Sequence, residues 1–396
     1  MGVSRRDAVI GGSAAALLST TLPVQVAMAE TSSSPRPRAR DLGIAPGVFR
    51  PGPLNAITDV GEVRVGHVTL NQGAAVRTGV TAIAAHGGNL FQDKVPAGFA
   101  VGNGFGKFAG STQILELGEL ETPVILTNTL NVAEGMAGAI EWTLAQPGNE
   151  QAMSVNAAVG ETNDAYLNDI RGRHVTKAHV IQAIASMAPG PVAEGCAGAG
   201  TGTHAFSWKG GIGTSSRALP KGMGGYRLGV LVQTNYGGVL TIAGAPVGLE
   251  LGRHDFKGQV DDHGGDGSVI IVIATDAPLS DRNLTRLARR AFLGIARTGS
   301  SMSNGSGDYA LAFSTAAEVR RTAERRRAAA TVADLANEAM SPLFQACVEA
   351  TEEAVYNAML QAVTTTGRDG HRVEALDPGA LKQILDRHRL ASGSPG

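Results

Sequence analysis

Six consecutive apolar residues, 269–274, constrain the fold of this chain more than any other feature. A strand with one solvated face alternates apolar and polar residues, so this unbroken run predicts a strand that is buried on both faces. After Pro278 the apolar residues recur at helical spacing through residues 284–295, with arginines between them, which predicts an amphipathic helix. A doubly buried strand followed by a helix with one apolar face indicates a layered α/β protein.

Other segments predict further elements of the same kind. The pattern of apolar residues predicts strands at 226–233, 240–247 and 308–314, and two helices between residues 331 and 363. Glycine supplies 53 of the 396 residues, which indicates many tight turns or close backbone approaches.

The composition excludes several classes of protein. Hydrophobic residues make up 43% of the chain, so neither collagen nor simple disorder explains the glycines. The formal net charge is −1 and aromatic residues are only 4%, so nothing favours binding to nucleic acid or to an anionic membrane. The two cysteines, Cys196 and Cys347, exclude a disulfide framework and leave a single bridge open; both are expected to be small core residues.

The first 29 residues predict an export signal. Arg5 and Arg6 precede an uncharged run, 8–29, that ends in Ala-Met-Ala, and the paired arginines favour the twin-arginine route. The alternative is a membrane anchor, but the glycines, serines, threonines and proline of the run make a poor spanning helix. The signal predicts a periplasmic or secreted protein. The residues that follow it are rich in Ser, Pro and Arg and predict a flexible leader at 30–45, before a single domain at 46–396.

Several common site motifs are missing. The nine histidines are scattered, and neither H-E-x-x-H nor a pair of C-x-x-C motifs occurs, so no metal site is expected. The glycines of residues 102–106 lack the last glycine of a dinucleotide loop, and no Walker lysine or G-x-S-x-G is present. The sequence therefore predicts chemistry without a metal or an organic cofactor.

The junction between Gly267 and Ser268 carries a chemical hypothesis. A polar loop ends at Gly267, and a hydroxyl residue then begins the apolar strand. The Ser268 hydroxyl can attack the preceding carbonyl, and cleavage would leave Ser268 with both a nucleophilic oxygen and an α-amine that titrates near ~8. The alternative is a serine with only a structural role at the start of a strand.

Five segments of the chain resemble the self-processing serine aminopeptidases of the DmpA type, a family of L-aminopeptidase/D-esterases and β-peptidyl aminopeptidases. They occur in the family's order: ETNDAYLNDIRGRHV (161–175), GGIGTSSR (210–217), VLVQTNYG (230–237), DGSVIIVIATDAPL (266–279) and SGDYALAFSTA (306–316). The resemblance extends from about residue 40 to residue 390.

The resemblance implies a fold and a processing event. The expected fold is an α/β, four-layer αββα sandwich that resembles the N-terminal-nucleophile hydrolases but differs in connectivity. Residues 46–396 would form a single catalytic domain, and the precursor would be cut between Gly267 and Ser268 into an α chain, 30–267, and a β chain, 268–396. Family members assemble into homo-oligomers of αβ units, and the same is expected of this chain.

The resemblance also assigns catalytic roles. Ser268 would be the nucleophile, with Ser306 as a proton relay and Asp308, where some relatives carry Glu, as the orienting carboxylate. Asn235 and Tyr166 would assist the oxyanion, and Tyr166 favours the L-aminopeptidase branch. The alternatives are a structural turn pair for Ser306 and Asp308, and a buried structural tyrosine.

An aminopeptidase must also recognise a free amine, and a carboxylate does so by charge-assisted hydrogen bonding. Glu161 is the candidate, and its alternative role is an ion pair with Arg171 or Arg173. The expected reaction removes N-terminal residues from short peptides, amides or esters, with neither nucleic acid nor, after signal removal, a membrane as partner. Two rival functions remain: a β-peptidyl aminopeptidase, and a non-catalytic exported binding protein.

Overall fold

The computed structural model describes residues 36–257 and 267–391. The predicted export signal and the first residues of the leader lie outside this part of the chain. Most of the polar loop before Ser268 also lies outside it. No helix within the two described ranges is long and apolar enough to cross a membrane.

The chain forms sixteen strands and seven α-helices over these residues. The strands are β1 (Arg64–Gln72), β2 (Val76–Ala84), β3 (Asp93–Gly104), β4 (Phe108–Ala109), β5 (Glu119–Leu120), β6 (Val124–Asn128), β7 (Ala158–Thr162), β8 (His204–Ala205), β9 (Trp208–Lys209), β10 (Ile212–Ala218), β11 (Arg227–Asn235), β12 (Ser268–Thr275), β13 (Gly307–Ser314), β14 (Arg321–Thr322), β15 (Thr365–Thr366) and β16 (Arg372–Val373). The helices are α1 (Ser111–Leu117), α2 (Val132–Leu144), α3 (Lys177–Ala185), α4 (Val247–Glu250), α5 (Asp281–Arg297), α6 (Ser341–Gln361) and α7 (Pro378–Ala391).

Two sheets form the centre of the molecule. The first has the strand order β1-β2-β6-β7-β4, and the second has the order β10-β11-β12-β13-β3-β14, with β5 also paired to β3. Pairing is antiparallel except between β6 and β7 and between β12 and β13. The parallel β12–β13 pair requires a crossover, which α5 provides.

Helices cover the outer face of each sheet. Helices α2 and α3 pack on the first sheet, whereas α5 and α6 pack on the second. One apolar cluster lies between the two sheets. A second lies between the first sheet and its helices, and a third lies between the second sheet and its helices. The expected four-layer αββα sandwich is therefore confirmed.

Strand β12 shows why an unbroken apolar run is needed at this position. All eight of its residues are buried. Ile270 and Val272 pack into the cluster between the sheets, while Val269, Ile271 and Ile273 pack into the cluster beneath α5 and α6. Because each face of the strand meets a different core, a polar residue on either face would lose hydration without gaining a partner.

Two of the sequence expectations are wrong in detail. The segment at 240–247 is not a strand, because Ala243 and Gly244 have positive φ angles of 50° and 82° and turn the chain back through a single bridge between Ile242 and Ala245. Residues 331–363 hold one long α-helix, α6, rather than two; only a short 3-10 turn, Asn337–Ala339, precedes it.

Residues 36–45 belong to the folded domain, although the sequence assigned them to a flexible leader. The Arg36 guanidinium donates to the backbone carbonyls of Leu360 and Leu376, at 2.6 and 2.7 Å. Arg38 pairs with the buried Glu194 at 2.7 Å, and Arg40 pairs with the fully buried Glu353 at 2.8 Å. Arginines that indicate a solvated leader in the sequence therefore donate hydrogen bonds to buried carbonyls and carboxylates of the folded domain.

The two cysteines do not form a bridge with each other. Cys347 is a fully buried core residue, as expected. Cys196 differs from the expectation, because it is partly exposed.

Candidate active site

The predicted catalytic residues meet where three strands of the second sheet lie side by side. Asn235 is the last residue of β11, Ser268 is the first residue of β12, and Gly307 is the first residue of β13. In the sheet register Ser268 lies opposite both Asn235 and Gly307. Residues far apart in the sequence are therefore held together by backbone pairing.

Ser268 is buried, and its hydroxyl shares a backbone donor with the preceding carbonyl. The Gly307 N–H lies 3.2 Å from the Ser268 Oγ and 3.2 Å from the Gly267 carbonyl oxygen. The same N–H thus contacts both the attacking atom and the oxygen that would become negatively charged if Ser268 attacked Gly267.

Close backbone approach explains the glycines on either side of this contact. A Cβ atom at Gly267 would lie 2.2 Å from the Tyr236 Cα and 2.3 Å from the Asn235 carbonyl oxygen. A Cβ atom at Gly307 would lie 2.7 Å from the Gly106 Cα. Neither position can hold a side chain without moving backbone of the neighbouring segment.

Ser306 and Asp308 form a buried pair beside the nucleophile. The Ser306 hydroxyl donates to Asp308 Oδ1 at 2.7 Å, and both side chains are about 1% exposed. Burial raises the pKa of Asp308 to about 6, while hydrogen bonds from Ser306 and the Val269 backbone act in the opposite direction. The Asp308 carboxyl therefore changes protonation near pH 6.

The second oxygen of Asp308 is unusual. Oδ2 is buried and accepts no hydrogen bond from the residues that the structure describes. Asp308 lies opposite Val269 in the β12–β13 register, one residue from Ser268. An unpaired carboxylate oxygen at this depth is costly unless a donor or cation is available to it.

Asn235 is oriented by its side-chain oxygen. Oδ1 accepts a hydrogen bond from the His204 backbone N–H at 3.1 Å, and the side chain is 1% exposed. Since the oxygen is fixed in this way, the Nδ2 donor is the end left for the oxyanion role.

Tyr166 lies beside His204, the residue whose backbone N–H orients Asn235. Its ring is 46% exposed, stacks on His371 at a centroid distance of 4.5 Å and meets the edge of His204 at 5.7 Å. The ring therefore packs against the residue that orients Asn235. The alternative of a buried structural tyrosine is wrong, because the side chain is nearly half-exposed.

Glu161 is buried near the nucleophile, and its ion-pair partner is Lys107 rather than Arg171 or Arg173. Its Oε1 accepts from the Lys107 backbone N–H at 3.0 Å and lies 3.5 Å from the Lys107 Nζ; its Oε2 accepts from the Thr129 hydroxyl. Arg173, one of the anticipated partners, pairs with Glu134 instead. A Cβ at Gly106 would lie 3.1 Å from Glu161 Oε1 and 3.1 Å from the Gly307 Cα, so one glycine separates this carboxylate from the backbone beside Ser268.

The sequence alone did not identify three contributors to the site. The Gly307 N–H is a backbone group, and only the sheet register reveals its position. Lys107 is the last residue of the glycine-rich segment 102–107, and a lysine at that position is a sequence signal for an acidic partner. His204 acts through its backbone N–H, so its residue type gives no signal.

Comparison with known proteins places these residues in a family context. Residues 55–373 match peptidase family S58. The chain is 40% identical over 385 residues to the beta-peptidyl aminopeptidase BapA of Sphingosinicella microcystinivorans, covering 91% of this chain and 95% of that protein.

Solved structures share the fold. A beta-aminopeptidase from Burkholderia sp. superposes with a TM-score of 0.81 at 40% identity, covering 89% of this chain and 99% of that one. The L-aminopeptidase D-Ala-esterase/amidase of Ochrobactrum anthropi superposes with a TM-score of 0.81 at 38% identity, covering 89% of this chain and 99% of that one. That protein is described as a prototype of the serine aminopeptidases and as a new variant of the N-terminal-nucleophile hydrolase fold.

The protonation of Asp308 gives a direct test of the site's geometry. In the Ser268→Ala chain, which lacks the attacking hydroxyl, the carboxyl should titrate near pH 6, because burial disfavours its charged form. Carbon-13 NMR of labelled aspartate measures this midpoint. Adding Ser306→Ala should move the midpoint to higher pH, since it removes a hydrogen bond that favours the carboxylate. A midpoint near ~3.9 in the Ser268→Ala chain would contradict the buried environment of Asp308.

Proposed function

The chain belongs to peptidase family S58 and is a serine aminopeptidase, and we propose that it makes its own nucleophile by cutting itself between Gly267 and Ser268. The observation that carries the proposal is the Gly307 N–H, which contacts both the Ser268 Oγ and the Gly267 carbonyl oxygen. Self-cleavage needs an attacking hydroxyl and a donor for the developing oxyanion, and both are positioned in the uncut chain.

The proposed cleavage proceeds in two steps. The Ser268 Oγ attacks the Gly267 carbonyl carbon, the C–N bond breaks, and the acyl group passes to oxygen as an ester. One water molecule then hydrolyses the ester, which gives a carboxylate at Gly267 and a free α-amine and hydroxyl at Ser268. In the first step the Gly307 N–H stabilises the charge on the carbonyl oxygen.

Ser306 and Asp308 provide a route for the proton. The Ser306 hydroxyl already donates to Asp308, so an ionised Asp308 can draw a proton through Ser306 from the attacking group. After cleavage, the new α-ammonium of Ser268 supplies a cation next to the unpaired Asp308 Oδ2. The buried carboxylate thereby gains a partner that the precursor lacks.

Substrate turnover repeats the same chemistry on another carbonyl. Ser268 attacks the substrate carbonyl, its α-amine or Ser306 accepts the proton, and water resolves the acyl-enzyme. The Asn235 Nδ2 donates to the substrate oxyanion, with its orientation set by the His204 N–H. Tyr166 contributes by packing against His204.

Glu161 recognises the free amine of the substrate. It is buried close to Ser268, and its present ion-pair partner, Lys107, is more than half exposed and can move into solvent. A substrate ammonium that replaces the Lys107 ammonium restores the ion pair in a drier environment. Peptides with a blocked N-terminus cannot make this contact.

Two classes of N-terminal residue, α-amino acids and β-amino acids, are candidates for release by this enzyme. The sequence motif favoured an L-aminopeptidase with D-esterase activity, and one matched structure carries that name. The matched BapA protein is instead named a beta-peptidyl aminopeptidase, and Tyr166, the residue that favoured the L-branch, packs on histidines. We therefore retain release of β-amino acids as the second candidate activity.

Export and assembly are further parts of the proposal. The twin-arginine-like sequence at residues 1–29 favours a periplasmic or secreted location, and the family resemblance favours homo-oligomers of αβ units. Fractionation of cells and light scattering of the purified protein test these two points.

Self-cleavage predicts two chains in the wild type and one in Ser268→Ala. A denaturing gel and the intact masses should show that the smaller wild-type chain begins at Ser268. Ser341→Ala, which removes an exposed hydroxyl at the start of α6, should be cut like the wild type. A wild-type protein that stays in one piece would overturn self-processing and would favour the rival of a non-catalytic binding protein.

Loss of the Glu161 charge should weaken amine recognition. Glu161→Gln removes a charge-assisted hydrogen bond, so the KM for free-amine p-nitroanilides should rise about tenfold or more after normal cleavage. The exposed Glu338→Gln is the matched control and should leave KM unchanged. An unaltered KM in Glu161→Gln would remove this residue from the amine pocket.

The ratio of kcat/KM values on two classes of substrate distinguishes the two candidate activities. An L-aminopeptidase should release p-nitroaniline from α-amino acid anilides with a higher kcat/KM than from N-terminal β-homoamino acid substrates. The opposite order would assign the β-peptidyl activity to this chain.

A further inference from the structure

Gln233 is a buried amide in the layer between the two sheets. Its side chain is fully buried, and Leu231, two residues earlier on the same face of β11, belongs to the apolar cluster between the sheets. An amide in an apolar layer loses its hydration, so it must find its hydrogen-bond partners within the protein. The partners of Gln233 therefore show what the amide does there.

The acceptors around the Gln233 amide lie on the first sheet and on a turn that packs against it. The Gln233 Nε2 donates to the Thr162 hydroxyl at 2.9 Å, and to the backbone carbonyls of Thr127 and Ala199 at 3.1 Å each. Thr127 lies on β6, Thr162 lies on β7, and Ala199 lies in the 3-10 turn Gly198–Gly200, which contacts the first sheet. One side chain of the second sheet therefore joins two strands of the first.

These contacts lie on both sides of Glu161. Thr162 is the residue that follows Glu161 on β7, and Thr127 lies opposite Glu161 in the parallel β6–β7 register. The Gln233 amide thus holds the backbone on each side of the carboxylate that receives the substrate amine.

The nucleophile faces the first sheet from the other side of this bridge. Ser268 lies on the same face of β12 as Ile270, and Ile270 packs into the cluster between the sheets. In the β11–β12 register Gln233 lies opposite Ile270, and Asn235 lies opposite Ser268. The nucleophile and the oxyanion donor therefore belong to one sheet and the amine-binding carboxylate to the other, so their separation depends on how the sheets are held together.

The amide oxygen of Gln233 adds nothing to stability. Oε1 is buried and accepts no hydrogen bond from the residues that the structure describes. An unpaired buried acceptor is unfavourable, and an apolar side chain of the same length would not contain one. What the amide provides is a directional connection between the sheets, which apolar contacts do not provide.

We propose that Gln233 is a positioning residue that sets the distance between Glu161 and Ser268, and that it thereby selects the spacing between the amine and the carbonyl carbon of the substrate. The inference rests on the proposed role of Glu161 in amine recognition. One carbon separates the two groups in an α-amino acid and two carbons separate them in a β-amino acid, which adds up to ~1.5 Å of reach. Because a misplacement of about 1 Å can slow a reaction about a hundredfold, a fixed separation discriminates between these two classes.

Gln233→Met tests the bridge with a side chain of similar length and volume that cannot donate. The substrates are p-nitroanilides of α-amino acids and of β-homoamino acids. We expect the ratio of kcat/KM values on the two classes to move about fivefold or more toward one, whichever class the wild type prefers. The KM of the preferred class should rise about tenfold while its kcat changes less than about threefold, because amine binding is lost and the nucleophile is retained.

Two reactions that need no group of the first sheet are internal controls. Self-cleavage uses Ser268, Gly307 and the pair of Ser306 and Asp308, which all lie on the second sheet or next to it, so Gln233→Met should be cut like the wild type. Hydrolysis of p-nitrophenyl acetate, an ester without an amine, should keep its wild-type kcat/KM in the same variant.

Two further variants separate positioning from stability. Leu231→Val removes one methylene from the same face of β11 and lowers stability without touching the bridge, so its substrate ratio should stay at the wild-type value. Thr162→Val removes one of the three acceptors and should move the ratio in the same direction as Gln233→Met, by a smaller factor. It provides the test if Gln233→Met does not fold.

Four results would overturn the proposal. The first is an unchanged substrate ratio in folded Gln233→Met, or in Thr162→Val if Gln233→Met does not fold. The second is an equal shift of the ratio in Leu231→Val, since lost packing would then explain it. The third is a parallel loss of p-nitrophenyl acetate hydrolysis, which would place the effect at the nucleophile. The fourth, a wild-type chain that is uncut and inactive, would overturn the proposed function as well and is distinguished by that observation.

Discussion

The contact on which the site depends is the one made by the Gly307 N–H to two oxygen atoms, the carbonyl of Gly267 and the hydroxyl of Ser268. It exists only because β12 and β13 run in parallel with Ser268 opposite Gly307. A shift of one residue in that register would turn the Ser268 side chain to the other face of the sheet. The chemistry is therefore a consequence of strand pairing.

The layered core fixes that register. Strand β12 fills the cluster between the sheets with one face and the cluster beneath α5 and α6 with the other. Slippage would place Ser268 or Thr275 in one of these cores, and burial of an unpaired hydroxyl is unfavourable. Helix α5 links β12 to β13, which keeps Asp308 beside the nucleophile although 39 residues separate Gly307 from Ser268.

Much of this arrangement was predictable from local sequence, but its contacts were not. The apolar run 269–274 predicted a doubly buried strand, and the family resemblance selected residues that do converge on the ends of β11, β12 and β13. Glycine conformation overrode the apolar pattern at 240–247, and long-range ion pairs ordered residues 36–45. The backbone donor at Gly307 and the Glu161–Lys107 pair depend on tertiary register, which single-sequence periodicity does not contain.

The central claim is that a cut chain beginning with Ser268 carries the acyl group during turnover. Mass spectrometry of the wild-type enzyme, quenched while it hydrolyses an activated amino acid ester, tests cleavage and nucleophile in one measurement. We expect an acyl adduct on the Ser268 oxygen of a chain that starts at that residue. An adduct on another residue, or on an uncut chain, would contradict it.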